Sequence, residues 1–338
     1  MPIPAQIALS SDDWQSQLRN VITSPEELLA VLGLDPVDVG LSALACADFP
    51  LKVPRSFVQR MRAGDPHDPL LRQVLCTQQE MIDTPGYLRD PLGESGATIP
   101  QRGIIHKYHG RVLLIVSGGC AVNCRYCFRR HFPYSKNQNS RQQWREALQY
   151  IRADKSIEEV ILSGGDPLVA TDEQLGQLIG DIATIAHVQR LRIHSRLPVV
   201  IPERITASLL EAITPANLQT IMVIHCNHAA EIDDSVAHAL AALRHRDITV
   251  LNQAVLLAGI NDDLNTQLAL SKRLFATGTL PYYLHVLDKV QGAAHFDVAE
   301  EKAQKLMAAL SARLPGFLVP RLVREVAGAD AKVSVPPF

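Results

Sequence analysis

From residue 112 onward, short and nearly continuous apolar runs alternate with longer amphipathic stretches. The runs are Val112–Val116, Val160–Ser163, Leu191–His194, Thr220–His225, Val250–Leu256 and Tyr282–Val286. Rich in Val, Ile or Leu and short on polar alternation, they predict strands buried on both faces. The intervening segments predict helices over Arg141–Arg152, Asp172–Ile185, Glu203–Ile213, Asp233–Arg244 and Leu264–Ala276, with Val298–Leu314 after the sixth run. Strand–helix alternation of this length implies βαβ units and a parallel sheet, either open and doubly wound or an incomplete (β/α) barrel. The first hundred or so residues read as helical and loop-rich. Ser24-Pro25-Glu26-Glu27 opens an apolar helix pattern, with serine as cap and proline at the first helical position. The tracts Gly64–Leu70 and Pro85–Gly96, rich in Pro, Gly and Asp, read as loops.

The conspicuous polar groups fall at the C-terminal ends of the predicted strands, where α/β folds build their active sites. A cysteine cluster follows the first strand, Ser163-Gly164-Gly165-Asp166 the second and His194-Ser195-Arg196 the third. His225 ends the fourth, Gln253 lies in the fifth and Asp288 follows the sixth.

Composition narrows the class. With 338 residues, 47% hydrophobic and 20% charged, the chain has the material for one large α/β domain. A formal net charge of −2 gives no reason to expect nucleic-acid binding. No apolar run reaches the ~18–20 residues of a membrane span, and Met1–Trp14 lacks a secretory pattern, so the expected location is cytoplasmic. Six cysteines in a reducing compartment make a disulfide framework unexpected; Cys46, Cys76 and Cys226 read as buried thiols.

The other three cysteines lie in Gly119-Cys120-Ala121-Val122-Asn123-Cys124-Arg125-Tyr126-Cys127-Phe128-Arg129-Arg130, spaced C-x3-C-x2-C. Three thiolates can hold three irons of a [4Fe–4S] cubane and leave the fourth open. An open iron can take the amino and carboxylate groups of S-adenosylmethionine and pass an electron to its sulfonium, releasing a 5′-deoxyadenosyl radical. A structural zinc site with His131 as fourth ligand is the competing reading, but zinc ligands usually come as two separated pairs.

C-x3-C-x2-C with an aromatic before the last cysteine resembles the radical S-adenosylmethionine superfamily, whose fold is a partial (β/α)6 barrel. Phe128-Arg129-Arg130 and Gly164-Gly165-Asp166-Pro167-Leu168 resemble the lysine 2,3-aminomutase family within it. That resemblance implies a radical isomerase moving the α-amino group of a lysine to the β-carbon. It implies Lys332 as the Schiff-base lysine for pyridoxal phosphate and Lys107, Tyr108 and Arg111 as its phosphate cradle. It implies Arg129 as the clamp for the substrate carboxylate, and Asp288 and Glu325 as partners of its ε-ammonium. Ser163, Gly164, Gly165, Asp166, His225 and Gln253 are implied to line the S-adenosylmethionine site. The run from Ala327 to Ala331 departs from the family's glycines, and Glu325 stands where Asp is usual.

The expected layout is a helical N-terminal region over 1–105, the partial barrel over 106–315 and a short segment carrying the pyridoxal-phosphate lysine over 316–338. Residues 106–133 and 282–296 resemble the branch that makes (R)-β-lysine for a lysine of translation elongation factor P. This implies functional links to that factor, to its lysyl ligase and to an external electron donor of flavodoxin or ferredoxin type. The chain ends six residues after Lys332, without the zinc-binding cysteines of the free-lysine enzymes. The expectation is therefore no zinc site and a monomer or dimer. A metabolic free-lysine aminomutase, and a zinc-stabilised RNA-binding module using Arg129–His131, are the alternatives.

Overall fold

The computed structural model describes residues 13–94, 99–134 and 141–336. Four short helices come first: α1 (Trp14–Arg19), α2 (Pro25–Leu32), α3 (Ala43–Asp48) and α4 (Arg55–Val58). The hairpin β1 (Ile104–Tyr108) and β2 (Arg111–Ser117) follows, then α5 (Arg141–Ala153) and β3 (Glu159–Gly164). The alternation continues as α6 (Asp172–Ala183), β4 (Arg190–Ser195), α7 (Leu197–Val200), α8 (Ala207–Ala212), β5 (Gln219–His225), α9 (Asp234–Arg244) and β6 (Thr249–Val255). It closes with α10 (Leu264–Ala276), β7 (Leu280–His285), α11 (Glu300–Ser311), β8 (Arg321–Arg324) and β9 (Val333–Ser334).

The six expected strands are all present. The final apolar run adds β8 as a seventh parallel strand, and β1 and β9 flank the set antiparallel. Sheet order follows chain order from β1 to β9. A doubly wound sheet reverses its order at a switch point; this one never does, so every crossover runs the same way and the sheet curls. Residues from β1 to β8 accordingly line one cavity of about 710 Å³. The curl also corrects the pattern reading. Strands β4 and β6 alternate buried and half-buried positions, with Arg192, His194, Gln253 and Val255 facing the cavity and apolar neighbours packed outward. Polar lining, rather than apolar packing, fills much of the inner face.

Local chemistry sets the element ends. Ser24 caps α2 by accepting from the Glu27 amide at 3.1 Å. The single helix expected over 203–213 is instead a 3-10 turn, Pro202–Arg204, followed by α8. Thr206 starts α8 afresh by accepting from the Leu209 amide, while Arg204 turns inward to the carbonyls of Leu168 and Ala170.

The N-terminal region shares one continuous apolar core with the barrel and grips the cysteine loop. Arg125, fully buried, donates through Nε to both carboxylate oxygens of Glu80 at 2.9 and 3.0 Å, and through its other nitrogens to the carbonyls of Phe49 and Ala45. Its amide donates to Gln73, and the Asn123 amide to Lys52. Arg130 reaches the same Glu80 at 3.0 Å. One expectation fails here: Cys46 and Cys76 form a disulfide, leaving only Cys226 of the scattered three as a buried free thiol. An isolated bridge between Leu41 and Thr77 lays the start of α3 against residues 76–81 and brings the two Cα atoms to 5.4 Å. Thirty residues of separation hide that pairing in the sequence.

Among the described residues, Glu80 is the one carboxylate in an ion pair with Arg125. Glu80→Gln is expected to destabilise the fold by about 3–5 kcal/mol, because it leaves buried guanidinium charge uncompensated. Urea unfolding of the oxidised, metal-free protein measures this; a change below about 1 kcal/mol would show that the charge is dispensable.

Candidate active site

All sixteen residues singled out from the sequence line the one cavity. They occupy two walls. On the first, the loop after β2 carries Cys120, Cys124 and Cys127 as free thiols. A turn closes between the last two, the Cys127 amide donating to the Cys124 carbonyl at 3.0 Å. Burial pushes the Cys120 thiol well up, with the neighbouring thiols adding to it. The Cys127 thiol is pushed to about 11, by burial and then by Cys124. The desolvated Cys120 and Cys127 resist ionisation alone, and three thiols on one loop suit a strongly cationic soft-metal group that stabilises thiolates. Arg196, buried after β4, donates to Cys124 Sγ at 2.7 Å and to Tyr126 Oη at 2.7 Å. No three His, Cys, Asp or Glu side chains among the described residues close on a single-ion position.

The Gly164-Gly165-Asp166 turn lies against this loop. A Cβ on Gly164, which has φ +121°, would come within 2.5 Å of the Ser117 carbonyl, and one on Gly165 would collide with Gly119. Two backbone amides of this turn are already engaged: Gly165 donates to Ser117 at 2.7 Å and Asp166 to Gly119 at 2.8 Å. The Asp166 carboxylate, buried, takes the Ser195 hydroxyl and the Arg196 and Leu197 amides. The motif's visible work is thus to lock the cysteine loop to the ends of β3 and β4. Ser163 Oγ takes a long contact from Arg129 Nη1 at 3.4 Å. His225 and Gln253 are direct neighbours across β5 and β6. Burial holds the His225 imidazole neutral, down to about 3, and the Tyr126 ring lies 5.8 Å from it.

On the second wall, Lys107 and Tyr108 sit on β1 rather than ahead of the first strand, and Arg111 opens β2 across the hairpin from Tyr108. The Arg111 guanidinium stacks on the Tyr108 ring at 4.7 Å. The β8–β9 pairing Arg324↔Val333 leaves Glu325 and Lys332 facing each other one step further on. They form a close ion pair. Glu325 also accepts from Tyr108 at 2.8 Å and Lys107 at 3.2 Å. These partners outweigh burial and hold its carboxyl down at about 2. Asp288 goes the other way: burial, then repulsion by Glu325, raises it to about 7.

Three contributors escaped the sequence reading. Glu94, inside a tract read only as loop, is buried against Arg129 and Lys107. Arg196 and His194 stood in the strand-end triplet without an assigned role. The Nε2 atoms of His194 and His225 and the Nε of Arg192 are buried without a hydrogen-bond partner. Such orphaned groups in a cavity match a polar ligand that completes them. Cationic Lys107, Arg111 and Arg321 on the same wall suit a phosphate-bearing one.

Residues 114–265 match the radical SAM superfamily. The L-lysine 2,3-aminomutase of Escherichia coli K12 is 50% identical over 327 residues, 96% of this chain and 95% of that protein. The enzyme of the same name from Haemophilus influenzae is 49% identical over 95% of this chain and 94% of its own length. That of Clostridium subterminale is 32% identical over 96% of this chain and 78% of its own. With three thiols on one loop of a curled parallel sheet, the chain belongs to the lysine 2,3-aminomutase family of radical S-adenosylmethionine isomerases, enzymes that work with a [4Fe–4S] cluster and S-adenosylmethionine.

Proposed function

We propose that this isomerase uses pyridoxal phosphate on Lys332 to convert L-lysine to (R)-β-lysine, and that the product serves to modify a lysine of translation elongation factor P. The observation that carries the reading is the shared cavity. Three thiols open on one wall, and an amine held by a carboxylate opens on the other. Bound there, the cluster and S-adenosylmethionine supply a carbon radical for hydrogen abstraction, and pyridoxal phosphate supplies the conjugation that lets nitrogen migrate.

The chain's own residues do the rest. Arg129 binds the substrate carboxylate; Lys107, Tyr108 and Arg111 hold the phosphate; Asp288 and Glu325 receive the ε-ammonium. Glu325, held at about 2, stays ionised beside Lys332 and pairs with its amine. His194 and His285 stay neutral through burial and so add no competing charge beside Lys332. The cysteine side takes its electron from a flavodoxin- or ferredoxin-type donor, and a separate ligase attaches the product. The assembly is a monomer or dimer. The likeness of residues 106–133 and 282–296 to the elongation factor P branch favours that destination over general metabolism. Among the described residues no helix is long and apolar enough to cross a membrane, in keeping with a cytoplasmic site of action.

The reconstituted enzyme is expected to turn over free L-lysine to the β-isomer. Conversion confined to lysylated elongation factor P would overturn the proposed order of events. Lys332→Ala is expected to abolish the borohydride-trapped adduct with pyridoxal phosphate; mass spectrometry finding that adduct intact would move the cofactor elsewhere. Asp288 must be ionised to hold an ammonium, so KM for lysine is expected to rise as pH falls through about 7. Asp288→Asn removes that dependence, and a wild-type KM that stays flat between about pH 6 and 8 would exclude Asp288 from the binding step.

A further inference from the structure

Glu94 is a buried carboxylate, 4% exposed, that belongs to no motif. Its amide is fixed by the Asp90 side chain at 2.9 Å. Its Oε2 accepts from Arg129 Nε at 2.6 Å and its Oε1 from Arg129 Nη2 at 3.1 Å, the parallel two-bond arrangement in which a guanidinium and a carboxylate fit best. Oε1 also takes Lys107 Nζ at 2.9 Å. One side chain thereby joins two groups that the proposed function assigns to opposite ends of a ligand: Arg129 to the carboxylate of an amino acid, Lys107 to the phosphate of the cofactor joined to it.

The division of Arg129's donors is informative. Nε and one face of Nη2 are committed to Glu94. Among the described residues, Nη1 has long contacts alone, 3.4 Å each, to Ser163 Oγ and the Gly164 carbonyl, at the C-terminal end of β3. The corner of the guanidinium that remains for a ligand is therefore the one that opens where the strands end. We infer that Glu94 is a positioning residue for substrate-carboxylate recognition: it holds Arg129 by its back edge and fixes the separation between Arg129 and Lys107. This rests on the reading of Arg129 as the carboxylate clamp.

The contrary possibility is that Glu94 is a placeholder, expelled when the substrate carboxylate arrives. The energetics oppose it. Expulsion would strand one buried carboxylate to seat another, and a buried charge left without its partner is strongly unfavourable. Lys107 would also lose a partner. Retention costs none of this, and ordering four side-chain torsions of Arg129 in advance lowers the entropy that ligand binding must overcome.

The two readings predict opposite signs. Binding of L-lysine and of 1,5-diaminopentane, which lacks the carboxylate, is measured from the visible absorbance of the pyridoxal-phosphate-loaded protein. Glu94→Gln keeps the side chain's volume but loses its charge and half its accepting capacity. It is expected to weaken lysine binding about tenfold while leaving the diamine unchanged. Glu94→Asp, which keeps the charge on a shorter arm, recovers part of the loss. Arg129→Gln weakens lysine binding on its own, and adding Glu94→Gln to it has no further effect. Tighter lysine binding in Glu94→Gln would overturn the inference in favour of a displaced placeholder. Equal losses for lysine and the diamine would reduce Glu94 to a structural role. Lysine binding that is lost in Arg129→Gln but intact in Glu94→Gln would sink this inference alone; binding intact in Arg129→Gln would sink the clamp reading with it.

Discussion

Five charges of alternating sign, Arg129, Glu94, Lys107, Glu325 and Lys332, cross the cavity in an unbroken chain of contacts. Charges this far from water persist only when paired and hydrogen-bonded. The five come from four parts of the chain, the cysteine loop, the loop before 95, β1 and the β8–β9 hairpin, and every pair except Glu325–Lys332 joins two different parts. The pairing requirement thus does what apolar packing does elsewhere in the protein. It fixes distant segments relative to one another, and it does so with groups able to bind a ligand's charges.

The cysteine wall is held by a different economy. Its loop is gripped on the outside by Arg125 and Asn123, which bond to carbonyls and a carboxylate of the N-terminal region. On the inside, Gly164 and Gly165 allow the β3 turn to press directly on residues 117–119. Three sulfurs that must meet one rigid cluster need such two-sided support, because a loop free to shift by an ångström would misplace one of them. The helical N-terminal region is therefore part of the site's framework as well as a cover for the barrel.

Much of this was legible in the sequence. Six strands announced themselves by continuous Val, Ile and Leu, and helix α10 by its period, because burial against neighbours acts on local patterns. That sixteen residues would share one cavity was legible through family motif and strand-end position. What stayed hidden depends on contacts between distant segments. Glu94 is one acid in a turn-rich tract, and only the fold brings it to Arg129, 35 residues on. The Cys46–Cys76 bridge depends on how two irregular segments lie together. The polar inner faces of β4 and β6 were masked because their outward neighbours are strongly apolar. The short Ala-Gly-Ala-Asp tract before Lys332 gave no hint of the hairpin that aims it at Glu325.

The curled sheet has two free edges, β1 and β9, which share no backbone ladder among the described residues. They meet through side chains: Lys107 and Tyr108 from one edge, Glu325 from the other, 218 and 217 residues apart in the chain. A barrel closed by backbone hydrogen bonds would keep its girth whatever it held. This one is fastened along a seam whose clasps also line the cavity. A phosphate that claims Lys107, or an ammonium that claims Glu325, draws on the same atoms that keep the ring shut. A ligand charge taken up at this seam would exchange partners with the groups that join the two edges.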